Sequence, residues 1–191
     1  MHSYLFTDPI DILQLHHSND FPQFLRTIDQ YTRQGYYLAG YFTYECGYHI
    51  EKLGHHDYQS SDYPLAWFGI YQHPITFDHL RGTVQCSSDV HLADLQSLVH
   101  PDTSDPFHVH NLHFNMDEQA YAQKIERVKE YIRAGDVYQI NFTGRYHFTF
   151  TGSPLAFYTT LKQQQHVSYG AYIHTENQHI ISLSPELFFR T

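Results

Sequence analysis

Tyr138-Gln139-Ile140-Asn141-Phe142-Thr143-Gly144-Arg145-Tyr146-His147-Phe148-Thr149-Phe150 alternates aromatic or aliphatic residues with polar ones, broken only at Gly144. Period two is the repeat of extended chain, whose successive side chains point to opposite faces. The run is therefore predicted to be a half-buried strand, with Gln139, Asn141 and Thr143 opposite Tyr138, Ile140 and Phe142. Gly144 is a candidate bend or bulge. The residues just before it follow another rule. Tyr121, Ile125, Val128 and Ile132 recur at helical spacing, with Lys124, Glu126, Arg127, Lys129 and Glu130 mostly off that face. Asn115 and Glu118 have capping-box spacing, and Gly135 supplies a stop.

Working outward, Ser153-Pro154 marks a second helix start, with Leu155, Tyr158 and Leu161 inward. Residues 167–174 and 179–189 read as two strands around the turn Thr175-Glu176-Asn177-Gln178, a hairpin. Towards the N-terminus, Ser3 to Phe6 reads as a short strand. Phe21, Phe24, Leu25 and Ile28 form one helical face that Asp20 or Asn19 can cap and Gly35 ends. Tyr36 to Glu45 and Pro64 to Gln72 read as strands, and Gly40 marks the close approach of another backbone. A weaker helix is expected over Leu92 to Val99. Between His100 and His113 periodicity lapses and Pro101, Asp102, Ser104, Asp105 and Pro106 cluster, so this stretch reads as a loop and a boundary. The expectation is an α+β fold of aromatic-rich, mainly antiparallel sheets with packed helices, in two regions, 1–113 and 114–191.

Composition narrows the function. In 191 residues, hydrophobic residues make up 41% and charged ones 16%, which argues for a packed domain against disorder. No apolar run approaches the roughly 20 residues of a spanning helix, so a membrane partner is not expected. Lys plus Arg total 11 against 20 for Asp plus Glu, a net charge of −9, which speaks against nucleic acid as the partner. Cys46 and Cys86 make no disulfide framework, and no basic, apolar signal segment opens the chain, so a cytoplasmic location is the simplest expectation.

Several features could carry chemistry. Seventeen histidines invite a metal reading, above all His108, His110 and His113, but no Cys accompanies them and they fall in the expected loop. They read as solvent-exposed side chains, and no metal site is assigned. Gln139, Asn141, Thr143 and Arg145 form a polar face that on an outer sheet simply meets water. Tyr44-Glu45 places a carboxylate in an apolar strand, where hydrogen bonds would hold it as a structural residue. Ser184-Pro185-Glu186-Leu187-Phe188-Phe189 sets a carboxylate after a proline that cannot donate to a ladder. Among apolar neighbours its pKa would rise and it could donate a proton; spacing alone favours a surface Glu at a strand end.

The same residues carry a resemblance. Ala134-Gly135-Asp136-Val137-Tyr138-Gln139-Ile140-Asn141-Phe142-Thr143 resembles the G-D-(I/V)-(Y/F)-Q-V-N segment of the chorismate-utilising enzymes, and Ser184-Pro185-Glu186-Leu187-Phe188 their S-P-E-x-F motif. Ala39-Gly40-Tyr41-Phe42-Thr43-Tyr44-Glu45 and Pro64-Leu65-Ala66-Trp67-Phe68-Gly69-Ile70-Tyr71 are similar to the family's G-Y-x-x-Y-E and P-L-x-W-F-G strands. Within the family the pattern most resembles the aminodeoxychorismate synthase component I branch, with the anthranilate synthase component I branch next.

The resemblance implies the N-terminal portion of the anthranilate synthase component I-like fold. It also implies amination of chorismate to 4-amino-4-deoxychorismate for folate synthesis, with ammonia from a glutamine amidotransferase partner and Mg²⁺ anchoring the substrate carboxylate. Glu186 stands at the position of the family's general acid. Ser168-Tyr169 stands where relatives carry a P-(S/A)-P-Y segment beside an aromatic amino-acid site, with His166-Val167 in place of its first two residues. Family members continue into a P-x-K-G-T segment, the Mg²⁺-binding glutamates and most chorismate contacts. The expectation is thus a fragment whose substrate contacts lie mostly outside it, which does not turn over chorismate alone. An anthranilate synthase fragment and a non-catalytic binding remnant are the competing readings.

Overall fold

The computed structural model describes residues 2–51, 63–87 and 106–190. Met1–Val99 and His100–Thr191 form two compact units. The expected helix over Leu92 to Val99 lies outside the described residues.

In the first unit β1 (His2–Leu5) is followed by β2 (Asp11–Leu15), α1 (Phe21–Arg33), β3 (Tyr37–Phe42), the short α2 (Cys46–Ile50), β4 (Ala66–Tyr71), β5 (Ile75–Asp78) and β6 (Thr83–Gln85). Two antiparallel sheets result, ordered β2-β4-β3 and β1-β5-β6. β4 is the central strand of the first, which explains its run of apolar residues with little alternation: Ala66, Trp67, Ile70 and Tyr71 are all buried. Gly40 of β3 faces Phe68 of β4, and a Cβ built there would meet the Trp67 carbonyl oxygen at 1.9 Å, the close backbone approach that a glycine inside a strand suggests. Phe21 and Phe24 of α1 bury against Leu15, Cys46, Leu65 and Ala66, with Leu13, Ile28 and Phe68 packed around them. Pro22 sits in the first turn of α1, and Gly35, at φ +88°, follows its end. Asp20 occupies the N-cap position but makes no side-chain cap hydrogen bond, because its backbone is already αR.

Two expectations change in this unit. The strand predicted over Tyr36 to Glu45 stops at Phe42, and Thr43 to Glu45 turn into α2. Glu45 is therefore a residue at a short helix start, with no cap hydrogen bond from its side chain, and not a carboxylate held within a strand. β2 carried too few alternating apolar residues to stand out in sequence; it is specified by its partner β4, with Leu13 opposite Phe68 and Leu15 opposite Ala66.

The second unit contains β7 (Phe107–Phe114), α3 (Glu118–Ala134), β8 (Tyr146–Gly152), α4 (Pro154–Gln164), β9 (Tyr169–His174) and β10 (His179–Ser184). β7 pairs with β8, and β9 with β10, both antiparallel. Of the loop expected between His100 and His113, the part from Phe107 on is strand, while residues 100–105 lie outside the described residues. Phe107 and Val109 alternate with His108 and His110, but the polar partners masked the pattern, and an irregularity between His110 and His113, with Asn111 at φ +54°, breaks it again. By its pairing β7 goes with the second unit, although the expected boundary at 113–114 put it with the first. Phe157 of α4 packs its ring against Phe107, Phe148 and Phe150, closing one face of this pair of strands.

The helix ends follow their capping residues. Ser153 Oγ accepts from the Ala156 amide at 3.2 Å, with Pro154 next to it. Asp117, not Asn115, caps α3: its Oδ1 accepts from the Ala120 amide at 2.7 Å. Asn115 Oδ1 instead accepts from the Arg145 amide at 3.1 Å, tying the entry of β8 to the end of β7. Gly135, at φ +81°, closes α3.

The run 138–150 divides. Only Tyr146 onward joins a ladder; residues 137–145 are neither strand nor helix. Their alternation survives in part, since Ile140 and Phe142 are half-buried while Gln139, Asn141 and Thr143 are exposed. Tyr138 breaks the pattern at 93% exposure.

Candidate functional site

The β9–β10 hairpin organises the residues singled out by sequence. Its turn is closed by the Thr175 amide donating to the Gln178 carbonyl at 2.9 Å, with Thr175 buried. From the pair His174–His179 the register runs to the pair Tyr169–Ser184 at the open end. That end brings together two stretches 15 residues apart in sequence: Ser168-Tyr169 on one strand and Ser184-Pro185-Glu186 on the other. β10 was expected to run to Phe189, but the ladder stops at Ser184, since Pro185 has no amide hydrogen to continue it.

Beyond the ladder the chain folds on Ser184. Its Oγ donates to the Glu186 carbonyl at 2.9 Å and lies 3.4 Å from the Glu186 amide. The carboxylate of Glu186 is exposed. The apolar surroundings expected from its sequence neighbours are not found, because Leu187, Phe188 and Phe189 are exposed too, Phe188 to 94%. Ser168 and Tyr169 are also on the surface.

The other end of the hairpin holds an aromatic row that the sequence did not reveal. Tyr158 of α4 stacks on Tyr172 at 5.7 Å, Tyr172 on His179 at 5.8 Å, and His174 on His179 at 4.2 Å. The Tyr172 hydroxyl lies 2.8 Å from His179 Nδ1. Burial, and then the charge of His174, hold the His179 imidazole below its ordinary value, while burial raises the Tyr158 and Tyr172 hydroxyls. The signal available in sequence was the symmetric placing of His174 and His179 about a four-residue turn.

The remaining candidates are dispersed. Gln139 Nε2 and Asn141 Oδ1 are 3.5 Å apart on an exposed edge, and Arg145 is exposed. On the β7–β8 pair, His108 stacks on His110 at 5.8 Å and His113 on His147 at 5.3 Å. Among the described residues, no three His, Cys, Asp or Glu side chains gather where a metal ion could be held. No helix among the described residues is long and apolar enough to cross a membrane.

Comparison with known proteins places this geometry. The chain is 33% identical over 153 residues to aminodeoxychorismate synthase component 1 of Escherichia coli (strain K12), covering 78% of this chain and 34% of that protein. It is 28% identical over 153 residues to anthranilate synthase component 1 of Saccharolobus solfataricus, covering 80% of this chain and 35% of that protein. The chain thus spans about a third of the length of these curated relatives, matching their N-terminal part. The crystal structure of anthranilate synthase component I from Streptococcus pneumoniae TIGR4 shares the fold with a TM-score of 0.72 at 18% identity, over 97% of this chain and 50% of that one. A mixed architecture of helices and antiparallel sheets, the ordered motifs along the chain and a match of residues 2–191 to the family described as chorismate binding enzyme all agree: the chain belongs to that family.

Proposed function

We propose that the chain is the N-terminal part of an aminodeoxychorismate synthase component I, which converts chorismate and ammonia to 4-amino-4-deoxychorismate and water. The observation that carries this reading is the Ser184-Pro185-Glu186-Leu187-Phe188 motif standing downstream of Ala134 to Thr143 in a chain 33% identical to the E. coli synthase component. The C4 hydroxyl of chorismate leaves poorly as hydroxide, so its departure needs a proton. Glu186 is the residue assigned to supply it, its carboxyl O–H passing the proton to the departing oxygen as the C–O bond breaks. Ammonia forms the new C–N bond and passes its surplus proton, through solvent, back to the Glu186 carboxylate, which restores the acid. Glu186 is exposed among the described residues, so its carboxyl is open to a substrate.

In the complete enzyme Mg²⁺ would neutralise the substrate carboxylate; no residue of this chain is assigned to hold it. Ammonia comes from a glutamine amidotransferase subunit, in keeping with relatives that are named as component 1, and the assembly is cytoplasmic. Ser168 and Tyr169 are proposed to border an aromatic amino-acid site.

The chain, joined to the remainder of its own protein and not to that of a relative, is to be supplied with chorismate, ammonia and Mg²⁺ and its product identified by chromatography. Aminodeoxychorismate supports the reading. Anthranilate overturns it in favour of the second reading, an anthranilate synthase component I, which the Saccharolobus relative and the shared fold favour. Sequence beyond residue 191 discriminates independently: lysine in a P-x-K-G-T segment fits the first, alanine there the second.

A further inference from the structure

We infer that Ser184 is a positioning residue for Glu186, tying the carboxylate-bearing residue to the end of the β9–β10 ladder; this rests on the reading of Glu186 as the proton donor. Ser184 is the last ladder residue, held in register opposite Tyr169. Pro185 offers no amide hydrogen, so sheet pairing cannot hold the next residue. The side chains after it do not hold it either, since Leu187, Phe188 and Phe189 are exposed.

Among the described residues, the restraint that remains is the Ser184 hydroxyl. It donates to the Glu186 carbonyl at 2.9 Å and faces the Glu186 amide at 3.4 Å. The amide belongs to the peptide unit before Glu186 and the carbonyl to the one after it. Pinning both to one oxygen limits φ and ψ of Glu186 together, and so fixes the direction of its Cα–Cβ bond. Proton transfer needs donor and acceptor within about 2.6–3.2 Å, and a misplacement of about 1 Å can lower turnover a hundredfold. A residue that aims Glu186 therefore acts on kcat through another side chain without touching substrate.

The test reads Glu186 directly. In the 191-residue chain labelled with ¹⁵N-Glu, Ser184→Ala is expected to speed exchange of the Glu186 amide roughly threefold to tenfold, while amides of the β9–β10 ladder keep their protection and Ser184→Thr restores the original rate. In the synthase reconstituted by joining the chain to the remainder of its own protein, Ser184→Ala is expected to lower kcat about tenfold to a hundredfold with KM held, again recovered by Thr. An unchanged Glu186 amide in Ser184→Ala overturns the inference, as does a loss of protection spread over the whole ladder. If Glu186→Gln abolishes turnover while Ser184→Ala leaves kcat intact, the positioning role fails and the proton-donor reading stands. If neither substitution changes turnover, the proton-donor reading itself fails, and the role derived from it goes too. Should the reconstituted wild type give no turnover, the exchange measurement decides alone.

Discussion

Tyr172 and His179 are joined twice across the β9–β10 hairpin: their rings stack at 5.8 Å, and the tyrosine hydroxyl lies 2.8 Å from His179 Nδ1. His174 stacks on the same imidazole at 4.2 Å, so His179 packs against two rings. Burial and the neighbouring imidazole both penalise its charged form, and its pKa is held below the ordinary 6.5. Below that value the unfolded chain takes up a proton here that the folded hairpin refuses. The stabilising contribution is therefore complete above about 6.5 and declines as pH falls toward the folded value. Thermal unfolding followed from about pH 8 to about pH 5 should show Tm falling on the acid side. His179→Gln should flatten that slope; an unchanged slope in the variant would place the acid sensitivity elsewhere among the histidines.

Gly40→Ala is expected to destabilise the first unit. The added Cβ falls 1.9 Å from the Trp67 carbonyl oxygen and 2.8 Å from its carbon, both backbone atoms of the central strand that cannot swing aside. Overpacking of this kind costs about 1–3 kcal/mol, read as a lower urea midpoint with the slope unchanged.

Ile70→Ala should cost about 2–5 kcal/mol, because Ile70 is fully buried in β4 and the cavity left cannot collapse between two paired strands. Tyr138→Ala is the matched control. With 93% of its surface exposed, its loss should change stability by no more than about 0.5 kcal/mol. Equal effects from the two would contradict the burial pattern.

Asp117→Ala should weaken the start of α3 by about 1 kcal/mol, since the Ala120 amide loses its acceptor. Asn115→Ala should leave the helix start intact and loosen the junction with Arg145 instead, as local amide exchange would show.

The isolated 191-residue chain should not turn over chorismate. Differential binding of a transition state needs acid, metal and nucleophile held together, and Glu186 is one exposed group with no metal-holding cluster among the described residues. Chromatography of the chain incubated with chorismate, ammonia and Mg²⁺ is the check. Formation of aminodeoxychorismate that disappears in Glu186→Gln would show this expectation to be false.

What the sequence determined by itself was chiefly local chemistry. Gly135 and Ser153-Pro154 marked helix ends because capping and left-handed backbone depend on the residues at the turn itself. The hairpin around residues 175–178 was legible for the same reason, and the order of four motifs identified the family. Gly40 also announced its role, because a missing side chain inside a strand implies a neighbour that needs the space. Tertiary structure decided the rest. β2 and β7 exist because of β4 and β8, and Tyr138 to Arg145, with the clearest alternation in the chain, joins no ladder. Periodicity states which faces a strand could have, but a ladder requires a second strand whose hydrogen-bonding edge is in reach, often far away in sequence. The exposure of Glu186 is of the same kind. Apolar neighbours in sequence suggested desolvation, yet burial is a property of what packs over a residue, and Leu187 to Phe189 point their surface to solvent with it.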